Sequence, residues 1–263
     1  MTSPIGILDS GLGGLSVFNE VRKLMPDESI LYFGDSAWCP YGARTTEEIQ
    51  HRVFKVTDFL LEHGCKIIVI ACNSATISAV EALRATYPVP FVGMEPGVKP
   101  AAAKTQTGTI GVLATEASLA GEKFHRLVSA HGEGLRIITR PCPQFVNLVE
   151  DGELHGDTAQ KIVEEETIPL IEAGADVLVL GCTHYPFLRP LIQKVAGSDV
   201  KILDTGAAVA RHTKSLLESS PSVPSVSKHQ IFTTGSLSKL ESLFPTLCPD
   251  TPMDQVELSH SAL

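Results

Sequence analysis

Residues 66–76 read KIIVIACNSAT and residues 176–186 read DVLVLGCTHYP, so a short apolar run twice stops at one cysteine followed by small polar residues. Cys72 and Cys182 thereby take matching places at the C-terminal ends of two buried strands. A cysteine at a strand end is most often a small core hydrophobe, and it is the duplication that argues for chemistry here. A free thiol titrates near pH ~8.5, and a helix N-terminus or a cation brings the thiolate within reach of neutral pH. Each cysteine is expected to precede a helix start. Two thiols facing each other across a cleft suit a reaction that takes a proton from one face of a substrate and returns one to the other.

Other residues gather at the same strand ends. Asp9 and Ser10 follow the first apolar run in DSGLGG, and an isolated Asp in such a turn most simply caps the next helix. Near a cleft, Asp9 could instead orient a substrate ammonium or a neighbouring thiol. His184 stands two residues beyond Cys182, a familiar thiol-activating arrangement, although a lone histidine is usually structural. Asp35 follows the second run, Asn73 and Ser74 follow Cys72, Thr115 and Ser118 follow a later run, and Thr183 follows Cys182. Glu150, in FVNLVEDGE, reads locally as a solvated carboxylate. The fragment CPYGAR (39–44) reads as a turn presenting Tyr41 and the Gly42 backbone. Gly11, Gly13 and Gly14 form neither a dinucleotide fingerprint nor a phosphate loop, because Ser16 replaces the third fingerprint glycine and no lysine follows. They let backbone N–H groups approach a small anion, most simply a carboxylate.

The elements that must position these residues alternate. Apolar runs at 4–8, 29–33, 66–71, 89–93, 109–113, 135–139, 176–181 and 200–203 are rich in Ile, Val and Leu, as strands covered on both faces should be. Helical segments lie between them. One opens at Thr45-Thr46-Glu47-Glu48, carries Ile49, Val53, Val56 and Leu60 on one stripe, and stops at Gly64. Another starts at Asp157, with Gln160 three residues on, and ends at Gly174. The upstream echo of PIGILDSGLGGLS (4–16) in TIGVLATEASLAG (109–121), and the near-equal spacings from Gly6 to Cys72 and from Gly111 to Cys182, predict two related α/β halves. The expected fold is α/β, with two pseudo-symmetric domains, each a mostly parallel sheet flanked by helices, and the active site in the cleft between them. Residues 1–95 with 208–263 form the first domain and 96–207 the second. EPGVKP (95–100) marks the first boundary. Helix-like residues 205–218 lead through the Ser/Pro loop 219–227 to a late strand at 230–234.

Composition excludes several classes. Lys and Arg total 21 against 30 Asp and Glu, a net charge of −9 without a basic block, which argues against nucleic-acid binding. No apolar stretch reaches membrane-spanning length and no secretory signal opens the chain, so a cytoplasmic protein without a membrane partner is expected. The 6 cysteines form no CxxC and no zinc-like spacing, which disfavours a thiol-redox protein or a metal site.

Five ordered motifs, DSGLGGLSV, YFGDSAWCPYG, ACNSAT, GVLATEAS and GCTHYP, give the chain a resemblance to the glutamate racemases of the cofactor-independent aspartate/glutamate racemase superfamily, over roughly residues 4–235. The resemblance implies interconversion of L- and D-glutamate without a cofactor, supplying D-glutamate for bacterial peptidoglycan. It implies Cys72 and Cys182 as the two acid/bases, assisted by Asp9 and His184, with Glu150 and Asp35 as further acidic positions. Asp9, Ser10, Asp35, Tyr41, Gly42, Asn73, Ser74, Thr115, Ser118, Thr183 and His184 then contact substrate. Ser74 and Ser118 stand where the family often has threonine, which keeps the hydroxyl and loosens packing. The implied partners are glutamate, a second copy of the chain in a homodimer and, as in some relatives, a nucleotide-sugar effector or DNA gyrase. Alternatives are a racemase acting on aspartate or another amino acid or a hydantoin, and a non-catalytic glutamate-binding protein.

Overall fold

The structure is a computed structural model that describes residues 3–217 and 228–263. The chain divides into two compact units, Met1–Met94 with Gly206–Leu263 and Glu95–Thr205.

The first unit begins β1 (Ile5–Asp9), α1 (Leu15–Leu24), β2 (Ile30–Gly34), α2 (Thr46–Glu62), β3 (Ile67–Ile70), α3 (Asn73–Thr86) and β4 (Phe91–Gly93). The second contains α4 (Val98–Ala102), β5 (Thr109–Ala114), α5 (Glu116–Ala120), α6 (Glu122–His131), β6 (Arg136–Pro141), α7 (Pro143–Asp151), α8 (Asp157–Glu172), β7 (Val177–Gly181), α9 (Arg189–Ala196) and β8 (Lys201–Leu203). The chain then completes the first unit with α10 (Gly206–Leu217), β9 (His229–Thr233), α11 (Leu237–Leu247) and β10 (Val256–His260).

All strand pairings among the described residues are parallel. The first sheet runs β10-β9-β2-β1-β3-β4 and the second β6-β5-β7-β8. The first four strands of each unit therefore share one order, with the opening strand flanked by the second and third. The repeat visible in the sequence is thus a repeat of topology. Every residue of β1, β2, β3 and β7 is buried, as strands covered on both faces require.

Local signals place the helices. Thr45 and Glu48 form a reciprocal capping box, with the Glu48 N–H donating to Thr45 Oγ1 at 3.2 Å and the Thr45 N–H donating to Glu48 Oε2 at 2.9 Å. Ile49, Val53, Val56 and Leu60 are buried along one stripe, and Gly64 ends the helix in the left-handed region at φ 75°. Helix α8 does start at Asp157, but Gly156 is its N-cap and no side chain caps it. Strand β10 was not expected from the sequence; it is a half-exposed edge strand held by its pairing with β9. The Ser/Pro segment 219–227 lies outside the described residues. No helix among the described residues is long and apolar enough to cross a membrane.

Candidate active site

In each unit the sheet has a switch point where the chain leaves the opening strand to either side, and ligands of open α/β sheets sit beyond the carboxyl ends of strands at such points. In the first unit β1 lies between β2 and β3, and the Ala71 N–H donating to Leu8 O at 2.8 Å carries the β1–β3 ladder to the lip. Ser10 and Cys72 come next on either side.

Cys72 is the N-cap of α3, and its Sγ accepts the Ala75 N–H at 3.5 Å and lies 3.9 Å from Ser10 Oγ. The Ala75 N–H of the helix's first turn thus faces the sulfur, where the helix N-terminus favours negative charge. Thr76 fixes this turn by donating to Ile70 O at 3.2 Å and accepting the Met94 N–H at 3.0 Å. Asn73 is only 4 % exposed, and both carboxamide atoms are buried without a hydrogen-bond partner among the described residues. Ser74 is buried beside it. Asp9 is buried and accepts the Gly11 N–H at 3.0 Å. The N-cap residue of α1 is Gly14. The glycines wrap tightly over Asp9: a Cβ on Gly14 would meet its Cβ at 2.5 Å.

The segment after β2 is pinned at Asp35, which is fully buried. Its carboxylate accepts from Arg52 Nε (2.9 Å) and Nη2 (2.7 Å), from the Tyr41 hydroxyl (2.6 Å) and from Thr234 Oγ1 (2.8 Å). Four protein donors fill this carboxylate, so the geometry gives Asp35 an organising role rather than a direct substrate contact. Tyr41 is also not presented: its ring is in the core, and burial with the Asp35 charge beside it holds the phenol protonated. Gly42 beside it is half-buried, and Ala43 and Arg44 beyond it are exposed.

In the second unit β5 lies between β6 and β7, and Ala114 pairs with Gly181, so Thr115 and Cys182 come next at the lip. Thr115 caps α5 by accepting the Ser118 N–H at 3.2 Å, and its hydroxyl donates to Ser118 Oγ at 2.9 Å. Cys182 does not head an α-helix as expected; a short 3-10 turn, Tyr185–Leu188, intervenes before α9. Its sulfur lies 3.6 Å from His184 Nδ1, and His184 Nε2 lies 2.7 Å from Glu150 Oε1. Glu150 is thus not a solvated carboxylate; its side chain is 16 % exposed and aligned on a buried imidazole. Thr183, which follows Cys182 in the chain, is buried as well. Tyr185, missed in the sequence, fixes the group by donating to Ala114 O at 3.1 Å and Cys142 O at 2.9 Å, which ties β5 and the start of α7 to the turn carrying Cys182.

Cys65, Cys142 and Cys248 are buried too. Burial pushes Cys65 up to about 12 and raises Cys142 and Cys248 as well, so these stay protonated core groups. Two further residues escaped sequence reading, Arg52 and Thr234. Arg52 had a signal: it is a charge on the apolar stripe of α2, beside Val53. Thr234 had none, because its partner is 199 residues away.

The Asp/Glu/Hydantoin racemase family matches residues 15–213. The chain is 52% identical to a glutamate racemase of Herpetosiphon aurantiacus over 81% of its own length and 84% of that protein's. It is 43% identical to one of Pseudomonas paraeruginosa over 94% of both chains. The structure of Escherichia coli glutamate racemase in complex with L-glutamate and the activator UDP-MurNAc-ala is similar at a TM-score of 0.88 and 31% identity, covering 98% of each chain.

Proposed function

Because the chain belongs to the Asp/Glu/Hydantoin racemase family, we propose that it is a cofactor-independent glutamate racemase, in which Cys72 and Cys182 each handle one proton of the same α-carbon. The observation that carries this reading is the strand-end cysteine in both units, each with its own polar support: a helix N-terminus and Ser10 for Cys72, His184 and Glu150 for Cys182.

In one direction a thiolate takes the α-proton, the C–H bond breaks and an S–H bond forms. The electron pair spreads onto the α-carboxylate, and the opposite thiol delivers its proton to the other face, leaving as thiolate. The roles exchange for the reverse reaction. The intermediate carries charge on the carboxylate oxygens, so fixed donors aimed there do most of the stabilising. Asn73, whose buried carboxamide has no partner among the described residues, supplies such a donor, and Ser74 and Thr183 add others, while the Gly42 backbone binds the substrate equally before and during the transfer. Asp9 takes the substrate ammonium. Glu150 holds the His184 imidazole so that its other nitrogen exchanges a proton with Cys182. The product is D-glutamate for peptidoglycan synthesis.

The test is incubation of the purified, reduced protein with L-glutamate in D₂O, without added pyridoxal phosphate or metal. Loss of optical activity with deuterium at the α-carbon of new D-glutamate is the expected result, and Cys72→Ala or Cys182→Ala is expected to abolish it. Near-normal turnover in either variant overturns the two-thiol mechanism, and absence of turnover in the parent overturns the racemase reading. The same reading includes a homodimer, read by sedimentation, and a nucleotide-sugar or DNA gyrase effector, read by titration against the rate.

A further inference from the structure

Among the described residues, Arg52 is the one lysine or arginine that is buried, at 4 % exposure. It projects from the apolar stripe of α2, where an unpaired charge is strongly destabilising. Its guanidinium grips both oxygens of Asp35, and Nη2 also donates to the main-chain oxygen of Leu263 at 3.2 Å. Trp38 covers it, with the guanidinium carbon 5.1 Å from the ring centroid. The partners belong to two separated stretches of sequence, 35–38 and the last residue, that share no local pattern.

Asp35 passes this constraint onward. It receives the Tyr41 hydroxyl, and it receives Thr234 Oγ1, which itself accepts the Ala37 N–H at 3.0 Å. Residues 35–41 are thus held at both ends, and Gly42 follows directly. Tyr41 and Cys72 belong to one buried cluster with Ala75 of α3.

We propose that Arg52 is a positioning residue of the racemase site, acting through the Asp35 carboxylate to fix the Tyr41–Gly42 turn that contacts the substrate. The inference rests on the racemase reading for its substrate, but its geometry lies wholly within the first unit. Such a contact is made alike in ground and transition states, so loosening it weakens substrate binding while leaving the proton transfers of Cys72 and Cys182 in place. Lysine does not replace arginine here, because a point charge cannot hold two carboxylate oxygens at once.

The experiment measures kcat, KM, thermal midpoint and calorimetric affinity for L-glutamate in the full-length Arg52→Lys and Thr234→Val variants. Arg52→Lys is expected to raise KM and Kd about tenfold with kcat within about twofold of the parent. Thr234→Val, the milder change, is expected to raise both about threefold. Adding Asp35→Asn to Arg52→Lys is expected to cause little further loss, since both act through one contact. A lowered thermal midpoint with parental KM and Kd in both folded variants marks Arg52 as purely structural and overturns the inference, while leaving the racemase reading intact. If the parent binds glutamate without racemising it, the function fails and the Kd shifts still decide this inference. If the parent binds no glutamate, both are overturned.

Discussion

At the residue scale, the role proposed for Asn73 rests on what its carboxamide lacks. A buried carboxamide without a partner costs about 1–3 kcal/mol, a cost that the proposed contact with the substrate carboxylate offsets. Asn73→Ala is therefore expected to lower kcat by about a hundredfold or more, on the scale of losing one fixed donor to a developing oxyanion. The same change is expected to leave unfolding free energy unchanged or slightly raised. Parental kcat, or a large loss of stability, would place Asn73 among the structural residues. Asp35 is the contrary case, with four donors already spent on it. Sequence gives both residues the same weight, because each is a polar group just beyond a strand. Only the count of partners separates them.

At the element scale, the turn between β1 and α1 is built around small residues. Gly14 has ordinary helical dihedrals, so its need for glycine is one of space: an added Cβ would meet Asp9 Cβ at 2.5 Å and Tyr32 Oη at 2.9 Å. Gly64 is the opposite, at φ 75° with nothing within 4 Å. Gly14→Ala is expected to displace Asp9 and cut kcat/KM at least about tenfold, with ~1–3 kcal/mol lost to overpacking. Gly64→Ala is expected to cost ~1–2 kcal/mol from the left-handed backbone alone and to leave kcat/KM unaltered. Equal catalytic loss in the two, read by steady-state rates beside urea unfolding, would remove the role given to the β1–α1 turn. The helix starts and stops were legible because each is decided within one turn of chain, as at Thr45 with Glu48. The 3-10 turn after Cys182 was not, since Tyr185 is drawn down by carbonyls of Ala114 and Cys142, well away in sequence.

At the scale of the whole molecule, stability should fall on the acid side for a reason outside the site. His229 is buried at the start of β9, accepts the Ile30 N–H at Nδ1 (3.3 Å), and packs edge-on against Phe18. Burial, with the Arg22 charge nearby, lowers it from 6.5 to about 4. The unfolded chain therefore binds a proton that the folded one refuses between those values. The resulting stability is fully present above about 6.5 and is lost as pH falls through about 4. Thermal midpoints should drop over that window, and His229→Asn, which keeps an acceptor for the Ile30 N–H, should flatten the drop. An equally steep acid limb in that variant would assign it to other groups.

The sequence by itself determined the alternation of buried strands and amphipathic helices, the doubled topology with its two strand-end cysteines, and the capping box of α2 with the glycine stops of α2 and α8. These follow from side-chain periodicity and from chemistry completed within a few residues. The tertiary structure alone decided that Glu150 meets His184 across 34 positions, that Arg52 and Thr234 converge on Asp35, that Tyr41 faces inward, and that β10 joins the sheet edge through backbone pairing with β9. Those features depend on which distant segments come together, and a hydrogen bond between them leaves no periodic trace in either.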